Sequence, residues 1–352
     1  ALAIDIQKFN LFGNVYQSPT LVFRREKPEW YLGIEHEEIN GGIRFPDRGR
    51  QAPVKIRFTQ ANLAQWFDFN TTQKESKHRS AFDPNSIPNI DFDIRSFVVG
   101  ERKIGNLVGR LESKKGGIHL SEFDLSATYL RLSAQGSWIN LPQNNQQLDI
   151  SLTSKIEDLG HALDELGIPD RISEGRGRVS ADFSWLGPSQ DLFRASQLSG
   201  QAKLDIKDGR LLNADPGPGK VLGVFSVSSI PRRLLLDFSD LFASGLSFDK
   251  AQAQIRFEKG MAETESFDIH GPAAQIEISG STNLSNREFN QKIAVIPNIG
   301  GTLPVAGAIA GGPGLGVLLY LGQDLVNKRL GKIIRYELLL TGPWSQPQLE
   351  RL

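Results

Sequence analysis

The sequence predicts a mainly β protein: an elongated, curved antiparallel β-sheet groove built from repeated meander modules joined by short crossover helices. Three observations carry this expectation. Apolar and polar residues alternate with a period of two along most of the chain, turn signals separate the runs, and the chain resembles itself at an offset of 144 residues. Composition narrows the classes further. The chain has 352 residues, with 40 basic and 40 acidic side chains, and so lacks the net positive charge of a nucleic-acid binder. Its lack of cysteine excludes a disulfide scaffold, a thiolate metal site and a cysteine nucleophile. It begins at Ala1 inside a strand-like pattern, with neither an initiator methionine nor a signal-peptide start, which reads as a fragment or a processed product.

The first 88 residues form a partial β module in which Val54-Ile56-Phe58 is a strand, followed by a weak helical pattern from Ala61 to Phe67. Residues 89–170 read as a meander, with strands at Ile90-Phe92-Ile94, Leu107-Gly109-Leu111, Leu130-Leu132-Ala134 and Leu148-Ile150-Leu152. Its closing helix is placed at Ser154 to Gly167: Ile156, Leu159, Leu163 and Leu166 share a helical face, and Ser154 with Glu157 fits a capping box. Residues 171–300 form a second module. It holds Val179-Ala181-Phe183-Trp185, Ala202-Leu204-Ile206, the alternation from Ala251 to Phe257, a turn at Lys259-Gly260, and a third short helix near 220–230.

The offset of 144 residues sets Leu111 on Ile255, Gly116 on Gly260, Phe123 on Phe267, Leu125 on Ile269, Leu132 on Ile276 and Gly136 on Gly280. One residue of adjustment sets Ile150 and Leu152 on Ile293 and Val295. Parity is preserved, and a slip of one residue would move every side chain to the other face. The expected apolar surface therefore comprises Leu107, Leu111, Phe123, Leu125, Leu130, Leu132, Leu148, Ile150 and Leu152, with Ile255, Phe257, Phe267, Ile269, Ile276, Ile278, Ile293 and Val295 in the second copy. With few helices to cover such a face, lipid tails are natural occupants, and a β sandwich filled by its own side chains is the alternative.

Residues 301–330 stand apart. Between Lys292 and Asp324 lie 31 uncharged residues that include three prolines and eight glycines. The stretch is long enough to cross a bilayer but badly built for a straight span. It reads as a glycine-rich apolar helical hairpin in which Leu303, Val305, Ile309, Leu315, Leu318, Leu319 and Leu321 either contact a membrane or plug the end of a sheet, with Lys328, Arg329, Lys332 and Arg335 as a basic border. Residues 331–352 supply a final strand and tail.

No catalytic or metal constellation emerges. The five histidines are far apart, the clusters at Gly217-Gly219-Gly223 and Gly312-Gly314-Gly316 miss the spacing of phosphate loops, and no GxSxG elbow occurs. Asp91 and Asp93 read as solvent-facing partners of Ile90, Phe92 and Ile94. No cofactor and no enzyme activity are expected.

The runs PRRLLLDFSDLF, SGLSFD, HGPAAQIEISGSTNL, LPVAGAIAGGPGLG and YELLLTGPWSQPQL, between Pro231 and Leu352, resemble the C-terminal end of the YhdP proteins of the AsmA-like family. Upstream, DLGHALDELGIPDRISEGRGRVSADFSWLGP and LSGQAKLDIKDGRLLN resemble the preceding module, so the likeness covers about Ile150 to Leu352, while Ala1 to Pro88 is too general a β pattern. The resemblance implies a bridge-like lipid transfer protein in the periplasm of a Gram-negative cell. An N-terminal helix absent from this chain would anchor it in the inner membrane, and a β groove would carry phospholipid toward the inner leaflet of the outer membrane. A structural envelope spacer that conducts no lipid is the competing reading.

Overall fold

The computed structural model describes residues 1–11, 14–47, 52–63, 83–169, 171–212, 245–298 and 335–352. Eighteen of the twenty strands among them belong to one sheet, and the other two form a separate hairpin. The chain divides into two compact units. Unit 1 comprises Ala1–Glu157, His161–Ile168 and Ser180–Phe193, and unit 2 comprises Asp158–Gly160, Pro169–Val179 and Arg194–Leu352.

Unit 1 contains β1 (Leu2–Asp5), the hairpin strands β2 (Lys8–Leu11) and β3 (Asn14–Gln17), β4 (Thr20–Glu26), β5 (Glu29–Glu35), β6 (Ile39–Pro46), β7 (Val54–Asn62), β8 (Ile90–Val99), β9 (Arg102–Lys114), β10 (Gly117–Ala127), β11 (Leu130–Leu141) and β12 (Asn145–Ile156). β1 pairs with β4, and from β4 to β12 each strand pairs with the next. All of these pairs are antiparallel except β7 with β8, which run parallel, so the expectation of a purely antiparallel sheet is corrected there. Ala61 and Asn62 close β7 instead of opening a helix, because Ala61 pairs with Ile39 on one side and Phe97 on the other. The rest of that expected helix, residues 64–67, lies outside the described residues.

The hairpin of β2 and β3 supplies the lid of a core. Tyr16 is 1% exposed and clusters with Ile34, Ile39, Phe58, Ile94, Phe97, Leu107 and Leu125. Its hydroxyl donates to the Asn62 carbonyl at 2.8 Å, and its ring meets the edge of His36 at 5.8 Å. Burial, with Glu38 nearby, pushes the phenol up to about 12. Each fully buried side chain of this size contributes about 1.5–3 kcal/mol.

In β13 (Ile172–Pro188), the residues up to Val179 belong to unit 2 and those from Ser180 to unit 1. Unit 2 continues through β14 (Leu198–Leu211), β15 (Leu246–Glu258), β16 (Met261–His270), β17 (Ala274–Asn283), β18 (Glu288–Pro297), β19 (Tyr336–Pro343) and β20 (Gln348–Arg351), each antiparallel to the next. The crossover helix α1 (Leu159–Glu165) is shorter than expected. Ser154 and Ile156 are the last inward residues of β12, paired with Leu132 and Leu130, so the Ser154-Glu157 spacing caps no helix. The expected third short helix near 220–230 and the apolar hairpin at 301–330 lie outside the described residues.

Candidate lipid-contacting face

Strand registers show how the two copies match. In the first, Leu111 pairs with Leu120, Gly109 with Phe123, and Leu107 with Leu125. In the second, Ile255 pairs with Thr264, Ala253 with Phe267, and Ala251 with Ile269, the same positions shifted by the repeat. Both hairpins turn through Lys-Gly, and Gly116 and Gly260 adopt φ of +96° and +81°, which a residue with a Cβ rarely adopts. Both also carry a β-bulge at the same place, leaving Ser121 and Glu265 without an opposite residue. The following pairs agree too, Leu125 with Leu132 and Ile269 with Ile276. Only the last pairing differs: Gly136 faces Ile150, whereas Gly280 faces Gln291, a slip of two from Ile293, the residue matched to Ile150 by the one-residue adjustment, so parity is preserved.

In unit 1 the registers carry one apolar face across the strands. A row runs from Leu2 through Phe23, Leu32, Ile43, Ile56, Phe92 and Gly109 to Phe123. Gly109 is required here by close approach, since a Cβ would come within 2.2 Å of the Phe92 ring that lies across it. Phe92 then meets Phe123 edge to face at 6.4 Å. Of the expected site residues, Leu107 and Leu125 are buried in the core, while Leu111, Phe123, Leu130, Leu132, Leu148, Ile150 and Leu152 are only half-buried. The opposite face is polar: Arg110 donates to Asp91 at 2.9 Å, in line with the outward placement of that carboxylate.

In unit 2 the corresponding face is buried. Ile255, Ile269, Ile276, Ile278, Ile293 and Val295 are all buried, with Ile269 1% exposed, and Phe257 and Phe267 are half-buried. Amid them lies a polar group the alternation did not reveal: Gln291 donates to Thr282 at 2.9 Å and to Thr264 at 3.3 Å, all three buried. A shallow cavity of about 320 Å³, lined by Glu263, Ser279, Ser281, Asn290 and Lys292, belongs to the outer polar face. Arg335, expected in a basic border, instead donates to Glu277 at 2.7 Å and Glu337 at 3.1 Å, and these carboxylates raise its pKa. Leu303, Val305, Ile309, Leu315, Leu318, Leu319 and Leu321 lie outside the described residues.

Sequence reasoning missed an aromatic end of the face in unit 1. Phe23, Trp30 and Phe45 are exposed there, and Trp138 and Trp185 both contact the ring of Phe193. The alternation Trp30-Leu32-Ile34 was the available signal.

The family model described as YhdP protein matches residues 1–349. The chain belongs to the YhdP protein family. The match extends through Ala1 to Pro88, where the β pattern alone was too general to assign. The intermembrane phospholipid transporter YhdP of Escherichia coli (strain K12) is 26% identical over 256 residues, which cover 71% of this chain and 20% of that protein. The aligned part is thus about a fifth of that YhdP protein's length. No solved structure matches the chain.

Proposed function

We propose that this chain is one segment of a phospholipid carrier of the Gram-negative envelope, and that unit 1 shelters acyl chains against β9 to β12. The observation that carries the reading is the half-buried apolar row of Leu111, Phe123, Leu130, Leu132, Leu148, Ile150 and Leu152, on a chain of the YhdP family. Such a face left to water is costly at about 25 cal/mol per Å² of apolar surface, and acyl chains relieve that cost without fixed geometry. The E. coli relative is named an intermembrane phospholipid transporter, which favours a periplasmic setting between two membranes and a binding role over catalysis. In the same reading, an anchor in the inner membrane belongs to the longer protein, and the uncharged stretch Leu303 to Leu321 contacts the inner leaflet of the outer membrane.

The buried face of unit 2 favours a second reading for that unit alone. Its Ile and Val residues form a self-filled core that holds the carrier's shape, and Ile255 to Val295 take up lipid only when that core opens.

The test is capture of lipid in cells by a photoreactive residue at Ile150, with Asp149 on the opposite face as the control, followed by mass spectrometry of the adduct. Phospholipid on position 150 and none on 149 supports the carrier. Protein-only adducts at both positions would refute it.

A further inference from the structure

The apolar face of unit 1 changes character along its strands. At one end Ile94, Phe97, Leu107 and Leu125 are buried beneath Tyr16. The registers Trp30 with Phe45, Arg44 with Lys55, Val54 with Ile90, Ile90 with Leu111, Leu111 with Leu120 and Leu120 with Gly136 identify the opposite end. There the side chains become aromatic and exposed, Trp30 at 50% and Phe193 at 56%.

This end also carries polar handles. The Trp138 indole donates to Gln146 at 3.0 Å, Gln146 donates to Asn140 at 2.9 Å, and Asn140 donates to Asp83 at 2.6 Å. Arg25 shares the apolar face with Phe23 by parity; its guanidinium lies 4.6 Å from the Trp30 ring and 2.7 Å from Asp47. Indoles with an apolar body and a hydrogen-bonded nitrogen suit the boundary between hydrocarbon and water. From Leu132 to Trp138 the strand rises about 20 Å, against about 15 Å of hydrocarbon in one leaflet. The half-buried length is therefore long enough to hold one acyl chain.

Resting on the carrier reading, we infer that a diacyl phospholipid lies along the strands of unit 1 in one orientation, its methyl ends toward the Tyr16 end and its phosphate at the aromatic end marked by Trp138 and Arg25. Among the described residues the Tyr16 end is lined by buried apolar side chains with the Glu38 carboxylate nearby, which disfavours a phosphate, whereas the open end offers indoles and the Arg25 guanidinium, which is shared with Asp47. Adjacent strands are about 4.8 Å apart, so Arg25 on β4 and Trp138 on β11, seven strands apart, are about 34 Å from each other along the sheet. Trp138 and Arg25 thus serve neighbouring lipids with a shared orientation.

Fluorescence quenching of the full chain by phosphatidylglycerol brominated either near the ester or near the methyl end of its acyl chains tests the orientation. The Trp138 component, defined as the part lost in Trp138→Phe, should be quenched about threefold more by the ester-side bromine. In Leu132→Trp the added emission should show the reverse order. Independently, Arg25→Gln should weaken uptake of phosphatidylglycerol about fivefold at low salt, the effect of one basic side chain near an anionic headgroup. Equal quenching by the two probes, or the opposite order, with lipid bound by mass spectrometry, overturns the orientation and leaves the carrier reading standing. No bound lipid at all overturns both.

Discussion

The two copies of the repeat, β9 to β12 in unit 1 and β15 to β18 in unit 2, share their Lys-Gly turns, their bulges and nearly all their registers, yet one presents a half-buried face and the other a buried one. Side-chain size runs opposite to simple expectation. The half-buried copy has Leu120, Leu130 and Trp138 where the buried copy has Thr264, Ala274 and Thr282. Backbone pairing and burial are therefore separate properties. Turns and alternation set the first, and whatever packs over the face sets the second. Large apolar side chains kept half-exposed suit an adaptable ligand, whereas small and β-branched ones suit a fixed core.

The sharpest way to break this comparison is to place a charge at equivalent positions. Ile276→Asp buries an unpaired carboxylate and should destabilise unit 2 by about 4 kcal/mol or more, seen as loss of a cooperative melt. Leu132→Asp, at the matching position of the half-buried copy, should retain its melt and lose lipid capture. Equal unfolding by both would mean that the two faces are equally closed.

Gln291→Ala should cost about 1–3 kcal/mol in a denaturant titration, because Thr264 and Thr282 lose a shared donor inside an apolar face. The reciprocal probe in unit 1 is Gly109→Ala. Its methyl displaces the Phe92 ring and should cost about 1–2 kcal/mol while altering lipid uptake. A smaller effect belongs to pH. Tyr16 ionises more readily unfolded than folded, so the stability it confers is complete below about pH 10 and declines as pH rises toward about 12. Thermal melts across that window should fall for the parent chain and more shallowly for Tyr16→Phe. Smallest of all, Arg335→Gln should leave the thermal melt essentially where it is, since its ion pairs are exposed.

Much of this was legible locally. Period-two runs gave the strands from Ile90 to Val295, Lys259-Gly260 gave a hairpin, and the repeat gave parity even across a bulge. What failed depended on partners distant in the chain. Ser154 and Glu157 have the spacing of a cap, but Ser154 has a strand partner in Leu132, and ladder pairing prevails over a local signal. Parallel pairing of β7 with β8 leaves no local trace, because alternation is the same in either direction. The lid role of Tyr16 is set by a hairpin folding over residues up to Leu125, a contact that no window of sequence contains.

The shared bulge makes β10 a strand with a frame shift. Before Ser121 the even-numbered residues Ile118 and Leu120 face inward, and after it the odd-numbered Phe123 and Leu125 do, so the two halves are read in different phases. A one-residue deletion elsewhere in the strand would scramble one half, whereas deletion of Ser121 itself would restore a uniform ladder at the cost of the local twist. The unpaired residue thus works as punctuation: it lets one strand change phase while keeping its greasy side on a single surface, and Glu265 places the same mark in the second copy.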